Sequence, residues 1–219
     1  MKIISIELGR VTQNYVAEEV RPLSGINLPE FSRLVQERYG FAKAPTPAEM
    51  VQAGARFQTG RLQSGTKTIN IAELAIFSDG VSASSYHTDD AEFLLEDAIN
   101  WSRRTFGVRE PTTKKSRVYE SHVIIEFEKS IDSALSRFDQ FRTQMAEAIE
   151  DTYGVKVPIL NQRLDFSGPT NPLPDIGRPF LVIERRVGYA AETNRFFSSA
   201  TVRTDTHLEL LAQLEKSLP

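Results

Sequence analysis

The sequence has no cysteine, which removes disulfides, thiolate nucleophiles, Cys-ligated zinc and iron–sulfur clusters from consideration. It has only three histidines, His87, His122 and His207, far apart in the chain. A histidine-rich metal or acid–base centre therefore has to be assembled by the fold. Neither Gly-x-Gly-x-x-Gly nor the Gly-Lys-Ser/Thr phosphate loop occurs, so no phosphate-cradling turn is recognisable. The Gly-x-Ser-x-Gly elbow of serine hydrolases is also missing. No apolar run approaches the roughly 18 residues of a membrane span. Met1–Leu8 alternates and lacks the apolar core of a signal peptide. Charge of neither sign dominates: the net charge is −3, with 12 Lys/Arg against 14 Asp/Glu in residues 1–110 and 14 against 15 in 111–219. No half reads as a nucleic-acid arm or an acidic tail. A soluble, cytoplasmic chain with no membrane partner and no cofactor is the expectation.

What is present suits an ordinary core. Hydrophobic residues make up 40% of 219 positions, enough for one large domain or two small ones. Ile4, Ile6 and Leu8 alternate with polar residues as in a strand. Asn27 and Glu30 mark a helix start, Phe31, Leu34, Val35 and Tyr39 line its apolar face, and Gly40 stops it. Thr46-Pro47-Ala48-Glu49 opens a second, short helix. Residues 55–87 read as strands with a hairpin at Asp79-Gly80. A helix follows from His87–Asp90 to Gly107, carrying Trp101 in its apolar stripe. The polar stretch to Ser116 reads as a linker. Val118–Glu128 is a strand with Tyr119, Val123, Ile125 and Phe127 on one face. One long helix is predicted from Ile131 to Tyr153, with Ile131, Leu135, Phe138, Met145 and Ile149 as its buried stripe. Leu160–Phe166 reads as a strand, Phe180–Val187 with Phe196–Val202 as a hairpin, and Thr204 as the cap of a leucine-bearing last helix.

The two halves repeat this order. Tyr39-Gly40 matches Tyr153-Gly154, an offset of 114, and Thr88-Asp89 matches Thr204-Asp205, an offset of 116. The expectation is an α+β fold with antiparallel sheets and helices packed on one side. It consists of two diverged tandem copies of a strand–helix–hairpin–helix unit, 1–107, a linker at 108–116, and 117–219, packed as a pseudo-dimer or sharing one sheet in one compact domain. A period this long indicates domain duplication rather than a solenoid.

Four groups could carry chemistry. His87, Asp89 and Asp90 offer nitrogen and oxygen ligands to a metal, but carboxylates in a first helical turn also stabilise the positive end of the helix dipole, the stronger reading. Asp175, Glu184 and Arg186 are similar in order to the Pro-Asp…(Asp/Glu)-x-Lys arrangement of metal-dependent nucleases, with Arg186 where the Lys stands. A loop and a strand with paired charges accounts for them as well. His122, Glu126 and Glu128 share a strand face but span about 20 Å at strand rise, too far for one compact site. Arg103, Arg104, Arg109, Lys114, Lys115 and Arg117 form a basic group, with few of the interleaved aromatics that single-strand binding uses. The C-terminal segment, with Arg185, Arg186, Arg195, Phe196 and Phe197, is densest in charge and aromatics and is the candidate binding surface. With no catalytic motif, the expected function is that of a non-catalytic interaction or assembly protein, a subunit of a larger complex, docking a protein partner or a second copy. A nucleic-acid binder, or a metal-dependent enzyme acting on nucleic acid, is the alternative.

Overall fold

The computed structural model describes residues 1–20, 25–112, 117–168, 179–190 and 193–219. The first strand, β1 (Lys2–Asn14), is followed by the short α1 (Ala17–Val20), α2 (Leu28–Tyr39) and α3 (Pro47–Ala53). A three-strand meander comes next, β2 (Ala55–Ser64), β3 (Lys67–Ile76) and β4 (Gly80–Ser85), and then α4 (Thr88–Phe106). The second half begins with β5 (Arg117–Glu126) and α5 (Ile131–Ala134). A 3-10 turn at Ser136–Phe138 leads into α6 (Asp139–Tyr153). The chain ends with β6 (Arg163–Phe166), β7 (Leu181–Arg185), β8 (Arg195–Ala200) and α7 (Thr204–Ser217).

All eight strands lie in one antiparallel sheet of order β2-β3-β4-β1-β5-β8-β7-β6. The protein is therefore α+β with one shared sheet, not one sheet per half. The long β1 makes this so, since it pairs β4 along one edge and β5 along the other. Each half also supplies a meander rather than a hairpin after its first helices. Read outward from the centre, the strands run β1-β4-β3-β2 on one side and β5-β8-β7-β6 on the other. A directly paired row crosses the first half as Val11, Ala83, Leu74 and Phe57. The corresponding row in the second half is Val123, Ser198, Ile183 and Leu164.

Those two rows lie on one face of the sheet and head two cores. Val11, Leu74 and Phe57 pack with Phe31, Val35 and Tyr39 of α2 and with Leu94 and Leu95 of α4. Val123, Ile125 and Ile183 pack with Ile131 of α5 and with Leu211 and Leu218 at the chain's end. Neighbouring side chains in each strand point to the opposite, polar face. There Arg10 bridges to Glu120, Arg195 to Glu126 and Arg56 to Glu73.

Most local start and stop signals act as the residues suggest. Asn27 accepts from the Glu30 amide, and Thr46 with Glu49 forms a full capping box. Gly40, Gly107 and Gly154 end their helices in the left-handed conformation.

Two expectations need correction. Thr204 is the first helical residue of α7 and not its cap, and Arg203 before it makes no side-chain cap bond; Thr88 likewise opens α4, which His87 caps through its side chain. The long helix from Ile131 is broken by the 3-10 turn, and α6 buries none of its residues. The reason lies in the sheet. β2 and β3 have ten residues each and give α2 a floor, whereas β6 has four and β7 five. The expected stripe of Phe138 and Met145 therefore has no sheet beneath it.

Candidate functional site

The residues singled out from sequence scatter when placed in the fold. Asp175 lies outside the described residues, as do Lys114 and Lys115. Glu184 is on the polar sheet face and pairs with Arg163 at 3.7 Å. Arg186 is exposed beyond the end of β7, its amide donating to the Arg195 carbonyl. Arg185 points the other way, buried into the second core. It pairs with Asp132, donates to the Asn161 carbonyl and stacks over the Phe196 ring at 5.0 Å. Phe196 is likewise a core side chain, packed on Phe127. Arg195 and Phe197 face the polar side, Arg195 against Glu126 and the Tyr189 ring, Phe197 edge-on to His122. Glu184, Arg186, Arg195 and Phe197 thus flank one another on the sheet without converging on a pocket. His122, Glu126 and Glu128 find separate partners in Glu120, Arg195 and the terminal amine. Among the described residues no three His, Asp or Glu side chains are placed to hold a metal ion. No helix among them is long and apolar enough to cross a membrane.

His87, Asp89 and Asp90 belong to a different structure, the seam where α4 and α7 meet over the middle of the sheet. The Thr88 amide donates to the Thr204 hydroxyl at 3.2 Å and the Thr204 amide donates to the Thr88 hydroxyl at 2.9 Å, both fully buried. Each threonine thus satisfies the other helix's free N–H rather than its own. Around this pair, His87 meets Asp205 at 3.1 Å and Arg203 meets Asp89 at 3.2 Å. Asp90 is tied to Lys67. Behind them Glu92 accepts from Tyr119, Arg117 and Arg203. Burial opposes its charge, but those three donors hold its carboxyl below the ordinary range. Every group at the seam has a partner within the protein, as a structural junction requires.

The second half also hides a polar triad. His207 on α7 is fully buried, its Nε2 2.9 Å from Ser198 Oγ and its Nδ1 3.1 Å from Ser121 Oγ. Ser198 spends its proton on the Val182 carbonyl, so it accepts from His207, which is then neutral with the proton on Nε2. Ser121 donates to Nδ1. With each proton committed and no solvent access, Ser198 cannot act as a nucleophile. Burial, aided by the nearby His122, pulls the imidazole down to about 4.

Two features remain with groups left unsatisfied. The first is α6 and its flanks. Phe138, Phe141 and Tyr153 are 54%, 61% and 75% exposed, and Met145, Val155 and Val157 continue the surface. The second is a cavity of about 420 Å³ in the first half, between the sheet and α2, α3 and α4. Leu28, Phe31 and Val35 form one wall, Ala98 and Trp101 another, and Leu74 the floor. Tyr15, just past the end of β1, and Arg103, in the last turn of α4, also line it. The Tyr15 hydroxyl and Arg103 Nε are buried with no hydrogen-bond partner among the described residues. Burial pushes the Tyr15 hydroxyl up to about 12, against the pull of the Arg103 and Arg117 charges.

Tyr15 belongs to no motif, and Arg103 reads in sequence as one of a basic group. The group disperses: among the described residues Arg117 goes to Glu92 and Glu96 and Arg104 to the Asn100 carbonyl, while Arg103 and Arg109 line the cavity. No protein-family model matches the chain, and no curated protein matches it significantly.

Proposed function

We propose that the protein is a non-catalytic assembly protein, and that its docking face is α6, taking the α6 of a second copy. The observation that carries this is a fifteen-residue amphipathic helix that buries nothing in its own chain. At ~150–250 Å² per aromatic side chain, Phe138, Phe141 and Tyr153 leave on the order of 300–400 Å² of apolar surface in water. That is within the ~300–600 Å² of the largest apolar patch on a typical monomer, which is often functional, and about half of the ~800 Å² that each partner contributes to a stable interface.

Charge favours a second copy as the occupant. The C-terminal part of α6 carries Glu147, Glu150 and Asp151 and has no basic residue in its last turn, so acids sit at the negative end of the dipole. An antiparallel second α6 brings Arg137, at its own N-terminal end, alongside them. Sedimentation of the wild type across a concentration series tests the reading, with Phe141→Glu as the control. A concentration-dependent dimer that Phe141→Glu abolishes without loss of fold supports it. A wild type that stays monomeric throughout, or a variant that dimerises equally well, overturns it.

We also read the halves as diverged copies of one unit. The mirrored strand order, the matching buried rows, and the pairs 87–205, 88–204 and 203–89 across the seam support this. On that reading α6 is the counterpart of α2, and its apolar face was freed when the outer strands of its half shortened. A chain with residues 1–107 in both positions should then fold cooperatively. A product without a cooperative unfolding transition counts against the duplication.

A further inference from the structure

We propose that the cavity of the first half binds a single-chain amphipathic monocarboxylate, with the apolar tail between α2, α4 and the sheet and the carboxylate on Tyr15 and Arg103. The site involves no residue of α6 and stands apart from the docking face.

The size and lining suit such a ligand. About 420 Å³ is within the range of small-molecule sites. At ~30 Å³ for each water-sized group it admits a chain of roughly a dozen heavy atoms. Phe31, Val35, Leu74, Ala98 and Trp101 offer only apolar surface to that chain.

The polar end decides the head group. A buried polar atom without a partner is costly, and the described residues leave two such atoms on the same cavity. Tyr15 is a neutral O–H donor at physiological pH, because its hydroxyl ionises only near 12. Arg103 Nε–H is a donor on a permanent cation. Glu110 meets the guanidinium only at Nη2, at 3.6 Å, and is itself 78% exposed, so it leaves Nε free. Two unpartnered donors on one cavity, one of them on a cation, favour an acceptor-only anionic head, and a carboxylate has an oxygen for each. An alcohol head would bring its own proton and leave the guanidinium to the long, exposed contact with Glu110.

Trp101 is the only tryptophan and lines the cavity, so its emission reports occupancy directly. Dodecanoate, dodecan-1-ol and acetate are titrated into the delipidated protein below the micelle-forming concentration. The expected result is a saturable change with dodecanoate, about tenfold weaker binding of dodecanol, and no response to acetate. Arg103→Met should bring dodecanoate down to the dodecanol level, and Tyr15→Phe should weaken it severalfold. No saturable response to dodecanoate, dodecanol bound as tightly as dodecanoate, or undiminished dodecanoate binding by Arg103→Met would each overturn the assignment. The first two outcomes need only the wild type, so a variant that fails to fold leaves the test intact.

Discussion

Replacing His207 should change how stability depends on pH more than it changes the fold. In the native protein the imidazole is sealed between Ser121 and Ser198, and its ionisation is held down to about 4. In the unfolded chain it returns to about 6.5. Between those values the unfolded state binds a proton that the native state refuses, so stability falls as pH falls. The contribution is intact above pH 7 and is lost progressively from about 6.5 down to about 4. The whole contribution is about 3 kcal/mol. Between pH 7.5 and 4.5 about 2–3 kcal/mol of it should be lost. Carboxylates such as Glu92 and Glu215, also held below their ordinary range, lose stability in the same direction at lower pH. The measurement is therefore a difference. Urea unfolding of wild type and His207→Gln is compared at pH 7.5 and 4.5. Gln keeps a donor and an acceptor but does not titrate. The variant should be the less stable protein at pH 7.5, and the gap should close by about 2–3 kcal/mol at pH 4.5. Equal losses in the two proteins would refute a neutral, buried His207, as would an imidazole NMR titration with a midpoint near 6.5.

The seam gives a second expectation: Thr88→Ala should cost about 1–3 kcal/mol, because it leaves the buried Thr204 amide without an acceptor. Hydrogen exchange locates the effect, since the Thr204 amide should lose protection; unchanged protection there would return each threonine to its own helix. Gly9→Ala should cost about 3 kcal/mol or more in chemical denaturation. A Cβ at Gly9 would lie 2.3 Å from both the His87 carbonyl carbon and the Thr88 nitrogen, backbone atoms that have no room to move; a variant of wild-type stability would show that the helix start does not press on β1. Trp101 is packed edge-on against Tyr39 and Phe106 but only partly buried, so Trp101→Ala should cost about 2–3 kcal/mol, below the 3–5 of a full burial. Acrylamide should quench the native indole slower than free tryptophan; quenching at the free rate would place the ring outside the core.

Element starts and stops were written locally. Asn27, Thr46-Pro47, Asp79-Gly80 and the glycines at 40, 107 and 154 act through backbone groups within a few residues, so short spans of sequence carry them. The faces of β5 were equally legible, because alternation is a property of the strand itself: Val123, Ile125 and Phe127 are buried and Glu126 and Glu128 are not. The Thr-Asp repeat was visible too, yet its role was not. The hydroxyl of Thr88 has the same reach toward its own helix as toward Thr204, and only the meeting of two helix ends decides between them.

The sequence alone determined an α+β chain without cysteine chemistry, with these helices and strands at nearly these places, since composition and short-range hydrogen bonding suffice for that. Only the tertiary structure decided that β1 and β5 join all strands in one sheet, because pairing depends on which edges meet in space. The same packing left α6 bare: an amphipathic stripe states that a face is apolar, while what covers it depends on the length of strands ten and more residues further along the chain. It likewise brought Tyr15 and Arg103, 88 positions apart, to the wall of one cavity, through the packing of α4 on β1 and not through any spacing in the chain.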